Sequence, residues 1–169
     1  MSSSLQSTIS GQLGWTWRDR VDVAPIVDSN RLSFQLSLSD GNGPGQCDSV
    51  WHLEDQVLLA GQSATYYLDA LPQVLFGVSI AIALATVKAL LIVNRAESGH
   101  IVVGGAASDE WHAPFGLPGD TARVMPHSPW LVANSQAGWP VTVGSSALKI
   151  AAAEADTVFD IAILGTRVE

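Results

Sequence analysis

The stretch VSIAIALATVKALLIV, residues 78–93, constrains this chain more than any other, because its sixteen residues carry one charge and neither glycine nor proline. It allows a membrane helix, a buried core helix or β-structure. Residues 74–93 have the roughly 20-residue length that a span requires. Lys88, however, sits well inside, where it costs on the order of 3 kcal/mol on an insertion scale, and only Arg95 lies close enough to orient a span. As a soluble helix, Val78, Ile80, Ile82 and Leu84 would spread around the whole circumference and form no stripe. As a strand, the same four residues share one face, and the other face is uniformly small: Ser79, Ala81, Ala83 and Ala85. The reading is therefore β.

One straight strand of this length would run roughly 53 Å, beyond ordinary strand lengths. Two strands parting near residues 85–87 are expected, or a bulge that carries the chain from one sheet to another. The small face predicts close approach by a facing sheet or a neighbouring subunit. Ser79, Ala81, Ala83 and Ala85 are accordingly interface candidates.

The rest of the chain has the same period-two character. Leu32, Phe34, Leu36 and Leu38 alternate with Ser33, Gln35, Ser37 and Ser39, and Ile9, Leu13, Trp15 and Trp17 occupy alternate positions earlier. GNGPG (41–45) and the Pro- and Gly-rich DEWHAPFGLPGD (109–120) read as loops. LDALPQVLFG (68–77) is expected to hold one helical turn ended by Pro72 and Gly77. SALKIAAAEADTVFDIA (146–162) has some helical propensity, but its β-branched end reads as a terminal strand. About ten short strand-like segments spaced roughly 8 to 14 residues apart predict an all-β, antiparallel sandwich of jelly-roll-like type. At most one or two helical turns are expected. Residues 1–169 are expected to form one domain, with 1–12 available as an extended N-terminal arm.

The formal net charge is −8, from 8 basic and 16 acidic residues, with no basic stripe, which argues against nucleic acid or an anionic membrane as partner. The opening MSSSLQSTISGQLGW lacks the features of a signal peptide, so synthesis in a cytoplasm is expected. Cys47 is the only cysteine, which rules out an internal disulfide and a multi-thiolate zinc site.

Chemistry-bearing motifs are weak. GNGPG and VVGGAAS lack the lysine and helix of a phosphate loop. A cluster of His112, His127 and Asp109 could bind a metal, but solvated loop histidines are the better reading. Glu54, Asp55, Asp109, Glu110 and Asp120 could supply a glycosidase pair, as two nearby carboxylates in any acidic chain could. Cys47 reads as a small buried thiol. No catalytic residue, metal ligand or cofactor is assigned. Trp111, Trp130 and Trp139 lie in or beside Pro/Gly-rich loops. They are read first as caps on the open ends of a sandwich, second, with Phe115, as an interface, and third as a sugar-stacking platform.

The series LDALPQVLFG, VKALLIVN, IVVGGA, RVMP, GWPVTVGSSALKIA and FDIAILGT, running from about residue 50 to 166, resembles a family of small structural proteins of tailed bacteriophages. Each motif is a generic strand word; their order and spacing carry the likeness. The sequence departs from the family pattern after LKI, where Ala151 and Ala152 stand in place of an asparagine, and at GSS in place of a GT turn. The resemblance implies a β-sandwich virion component without catalytic residues, made in the host bacterial cytoplasm. The expected role is a head decoration or cement protein, binding the major capsid protein or another virion protein as a homo-oligomer, with a trimer favoured. A tail or fibre component, or a carbohydrate-binding host-adhesion module using Trp111, Trp130 or Trp139, is the alternative.

Overall fold

Alternating side chains make strands throughout the computed structural model, which describes residues 4–21, 24–75 and 78–168; the side chains of 19–25 and 74–79 lie outside the described set. Thirteen strands are present among the described residues: β1 (Ser7–Val21), β2 (Ala24–Leu38), β3 (Ser49–Leu58), β4 (Ser63–Tyr67), β5 (Leu71–Leu75), β6 (Val78–Ile82), β7 (Leu84–Asn94), β8 (Ile101–Gly104), β9 (Thr121–Val124), β10 (Ser128–Ala133), β11 (Trp139–Pro140), β12 (Ala147–Ala152) and β13 (Thr157–Arg167). No helix of the described residues is long and apolar enough to cross a membrane.

The body is an antiparallel β-sandwich. One sheet runs β10–β7–β13–β3, with β11 continuing the β10 edge of β7, and the other runs β4–β12–β8–β9. After β3 the chain alternates between them, so each sheet closes over residues supplied by the other. Burial follows the pleat: in β13, Thr157, Phe159, Ile161 and Ile163 are buried and the residues between them are half-exposed. Phe159, Ile161, Ile163, Leu90, Ile92 and Trp51 from the first sheet meet Leu148, Ile150, Ile101, Val103 and Val124 from the second in one core.

The opening stretch is indeed two strands, but they part at Ala83 rather than at 85–87. There the Leu84 N–H donates to the Leu68 carbonyl and the Val168 N–H donates to the Ala83 carbonyl, so pairing partners change within one residue. Strand β6 pairs only with β5, as a separate two-stranded ribbon, whereas β7 enters the centre of the first sheet. The expected helical turn at LDALPQVLFG is replaced by a turn at residues 68–70 and strand β5. Pro72 is tolerated because this ribbon is only two strands wide, and a strand edge does not need its missing N–H. Residues 146–162 form β12 and β13, and the strands are both more numerous and longer than the ten short ones expected: β1, β2, β3, β7 and β13 each have ten or more residues.

Residues 7–12, whose alternation reads as strand, begin β1, which pairs along all 15 of its residues with β2. At about 3.4 Å per residue this hairpin runs roughly 50 Å.

Candidate functional site

Cross-strand partners share a face of an antiparallel ribbon, so the β1–β2 register sorts the hairpin's side chains. Ile9↔Leu36, Gly11↔Phe34, Leu13↔Leu32, Trp15↔Asn30 and Trp17↔Asp28 lie on one face, and Thr8↔Ser37, Ser10↔Gln35, Gln12↔Ser33 and Thr16↔Ser29 lie on the other. One face is apolar and rich in aromatics; the other is polar. Local pairs stiffen both. The Trp15 indole N–H donates to Asp28 Oδ2 at 3.1 Å, and the Thr16 and Ser29 hydroxyls are 3.2 Å apart. The Phe34 ring covers the bare backbone at Gly11, in the manner of an aromatic shielding a strand glycine. Such pairs contribute about 0.2–1 kcal/mol each.

Among the described residues of the hairpin only the root is buried. Ile9 and Leu38 pack with Cys47 and Ala89, flanked by Leu5, Leu131 and Leu164. The Leu5 N–H donates to Asp40 Oδ1 at 3.0 Å, and Ser7 Oγ lies 2.8 Å from Cys47 Sγ. Beyond the root the apolar face is open: Leu13 is 68% exposed, Leu32 70%, Trp17 54%, Phe34 50% and Trp15 41%. A two-stranded ribbon is marginally stable by itself in water, and apolar patches of this extent mark interaction surfaces.

The outer face of the first sheet adjoins this root. Register places Leu131, Leu91, Ala162 and His52 in one row across it, and Ala133, Ala89, Leu164 and Val50 in the next. The root covers part of the second row. A wedge of about 360 Å³ remains between Ser7–Ser10 and the sheet, and a groove of about 320 Å³ continues past Leu91 and Val93 towards Glu54 and Asp160.

Lys88 explains how the sheet edge beside the root is held. Between β10 and β11 the chain leaves β7, and the loop folds over Lys88, whose Nζ donates to the Gln136 carbonyl at 2.7 Å and the Gly43 carbonyl at 3.4 Å. Burial holds its pKa below that of an exposed lysine, while the nearby Cys47 acts in the opposite sense.

The interface candidates taken from the sequence do not come together as one surface. Ala81 is exposed on β6, Ala83 lies at the crossover, Ala85 is half-buried on β7, and the Ser79 side chain lies outside the described residues. The small face is therefore divided between a ribbon and a sheet. Trp111 is fully buried, its indole N–H donating to the Pro140 carbonyl at 2.9 Å, so it is neither an interface residue nor a sugar platform. Trp139 meets it edge-on with ring centroids 6.5 Å apart. Trp130 stacks on Phe115 with centroids 5.6 Å apart and planes 7° apart, and all three partly buried rings (Trp130, Trp139 and Phe115) pack against the core. These aromatics close the sandwich, the first of the three readings. The open tryptophans are Trp15 and Trp17. Their alternation was visible in the sequence, but nothing in it marked that alternation as uncovered.

The other candidates are engaged locally. Glu110 accepts from the N–H groups of Gly105 and Gly119, Asp120 accepts from that of Leu117, and Asp55 pairs with Arg95 at 2.7 Å. His127 faces Glu97 on the surface, and His112 Nδ1 lies 3.2 Å from the Glu110 carbonyl. Among the described residues no three His, Cys, Asp or Glu side chains gather as a metal site. Comparison with protein-family models and with curated proteins gives no match.

Proposed function

We propose that this protein is a structural component of a tailed-phage virion, a decoration or cement protein that binds the outer capsid lattice as an oligomer and performs no catalysis. The observation that carries the reading is the long β1–β2 hairpin, anchored at one end to a sandwich and presenting an uncovered apolar face. A surface of that kind acts by burying area against another protein, and repetition over a lattice turns modest contacts into tight retention. The order of strand motifs resembling phage structural proteins points the same way, and the acidic balance suits an outer surface better than one facing packaged DNA. For the carbohydrate-binding alternative, Trp111 is buried in the core, and Trp130 and Trp139 are partly buried against it. Mixing purified protein with undecorated capsids of the phage that encodes it tests the reading. Saturable binding that raises the temperature of capsid disruption is expected; absence of binding, together with saturable binding to host glycans, would overturn it.

A further inference from the structure

We propose that the apolar face of the β1–β2 hairpin docks on the open outer face of the β10–β7–β13–β3 sheet of a second copy of this chain, joining copies by exchanged hairpins. The proposal goes beyond the virion reading and does not depend on it.

Three observations select a second copy as the occupant. First, the two surfaces already meet inside one copy. Ile9 and Leu38, from the hairpin's apolar face, pack on Ala89, Leu131 and Leu164 of the sheet's outer face. Past that contact both surfaces continue uncovered, the hairpin as Leu13, Leu32 and Phe34 and the sheet as the groove along Leu91, Val93 and Ala162. An exchanged hairpin extends a packing arrangement that the sequence already makes.

Second, the area is sufficient. Three aromatic rings of about 150–250 Å² each stand roughly half open, beside Leu13, Leu32 and Ile26, so one hairpin offers on the order of several hundred Å². A standard interface needs about 800 Å² per partner. In an exchange each copy gives one hairpin and receives another, which doubles what each contributes.

Third, charge favours the hairpin over any body-to-body contact. Residues 1–38 carry three arginines and three aspartates and are neutral, so the whole net charge of −8 resides on the remaining chain, with five basic and thirteen acidic residues. Two bodies repel each other. The neutral hairpin, carrying three of the eight cations, approaches an acidic body without that penalty.

Sedimentation of the full-length chain tests the proposal. The wild type should be an oligomer. Leu13→Lys with Leu32→Asp removes apolar surface from directly opposed positions while leaving an opposite-charge pair that keeps the strands together. It should raise the apparent dissociation constant at least roughly thirtyfold, as loss of a binding hot spot does, with circular dichroism and melting temperature of the monomer unchanged. The same swap on the polar face, Gln12→Lys with Ser33→Asp, should leave association intact. Val93→Glu, on the receiving sheet, should dissociate the protein as the hairpin variant does. Mixing that variant with Leu13→Lys/Leu32→Asp should restore one joint and form a heterodimer, because an intact hairpin then meets an intact sheet. A monomeric wild type, including one whose hairpin engages only capsid protein, would overturn the proposal. So would an oligomer indifferent to the hairpin substitutions, a Val93→Glu variant that stays associated (the result expected if hairpins pack on one another), or a mixture that stays dissociated.

Discussion

Strands β13 and β1 follow the same alternation of apolar and polar residues, and the molecule treats them in opposite ways. In β13 the apolar set is sealed by the facing sheet, and Phe159, Ile161 and Ile163 are almost inaccessible. In β1 the corresponding set, Leu13, Trp15 and Trp17, has strand β2 beside it and nothing described above it. Alternation specifies that one face is apolar. What covers that face is a property of topology, and here the body supplies its own cover while the hairpin leaves its described apolar face exposed.

The largest expected effect tests that contrast directly. Phe159→Ala should destabilise the monomer by about 3–5 kcal/mol, since a fully buried ring leaves a cavity that the sheets do not close. Phe34→Ala should cost at most about 1 kcal/mol, the scale of a cross-strand contact, because the ring covers Gly11 and is half open to water. Urea unfolding followed by tryptophan fluorescence, under conditions where the chain is monomeric, reads both. Similar losses would mean that the hairpin is part of the cooperative core.

A second pair of substitutions separates the two regions by what their glycines face. A Cβ at Gly165 on β13 would collide with the backbone carbonyl of Thr86 across the sheet, next to a register shift between Leu164 and Gly165. Backbone in a central sheet has nowhere to go, so Gly165→Ala should cost about 1–3 kcal/mol, as overpacking does. A Cβ at Gly11 would meet only the Phe34 ring, at 2.6 Å from Cε1, and that ring can swing into solvent. Gly11→Ala should therefore change monomer stability by no more than about 0.5 kcal/mol. Thermal melts of the two variants suffice, and equal shifts would show that Phe34 is held as firmly as the interior.

These contrasts also show which parts of the structure were legible in the sequence. The all-β class follows from side-chain periodicity, which is local, and the division of residues 78–93 into two strands follows from the length of the run. The crossover at Ala83 was not visible because the alternation of large and small residues runs through it without a glycine or proline, and the change of partner depends on Leu68 and Val168, each fifteen or more positions away. Strand β5 was hidden by Pro72, which a two-stranded ribbon admits and a wider sheet would not. For the tryptophans, loop position suggested caps on the sandwich, and Trp111, Trp130 and Trp139 pack in or against its core, but nothing local marked Trp15 and Trp17 as uncovered. Trp111 lies in a loop that folds under the sandwich, whereas Trp15 and Trp17 lie on strands that leave it.

The smallest effect concerns the junction of the two regions. Cys47 is buried where the hairpin root meets the sheet, with Ser7, Asp48, Asp40 and Lys88 as its polar and charged neighbours. Burial pushes its thiol above the ordinary value of 9.0; the Ser7 hydrogen bond opposes this, Asp48 and Asp40 reinforce it, and Lys88 opposes it. The folded chain thus keeps a proton that the unfolded chain begins to lose near pH 9.0, so the thiol's contribution is complete below that pH and is lost as pH rises through the folded value. Tyr66, raised by burial from 10.0, has the same sign but acts later, and Lys88, lowered from 10.5 by burial, has the opposite sign because there the unfolded chain holds more protons. Comparison with Cys47→Ala cancels the Tyr66 contribution and leaves the thiol together with its coupling to Lys88. The urea midpoint of the wild type should exceed that of the variant below pH 9.0, and the difference should narrow as pH approaches 10.0. A difference independent of pH would mean that water reaches Cys47, and that the root is as open as the rest of the hairpin.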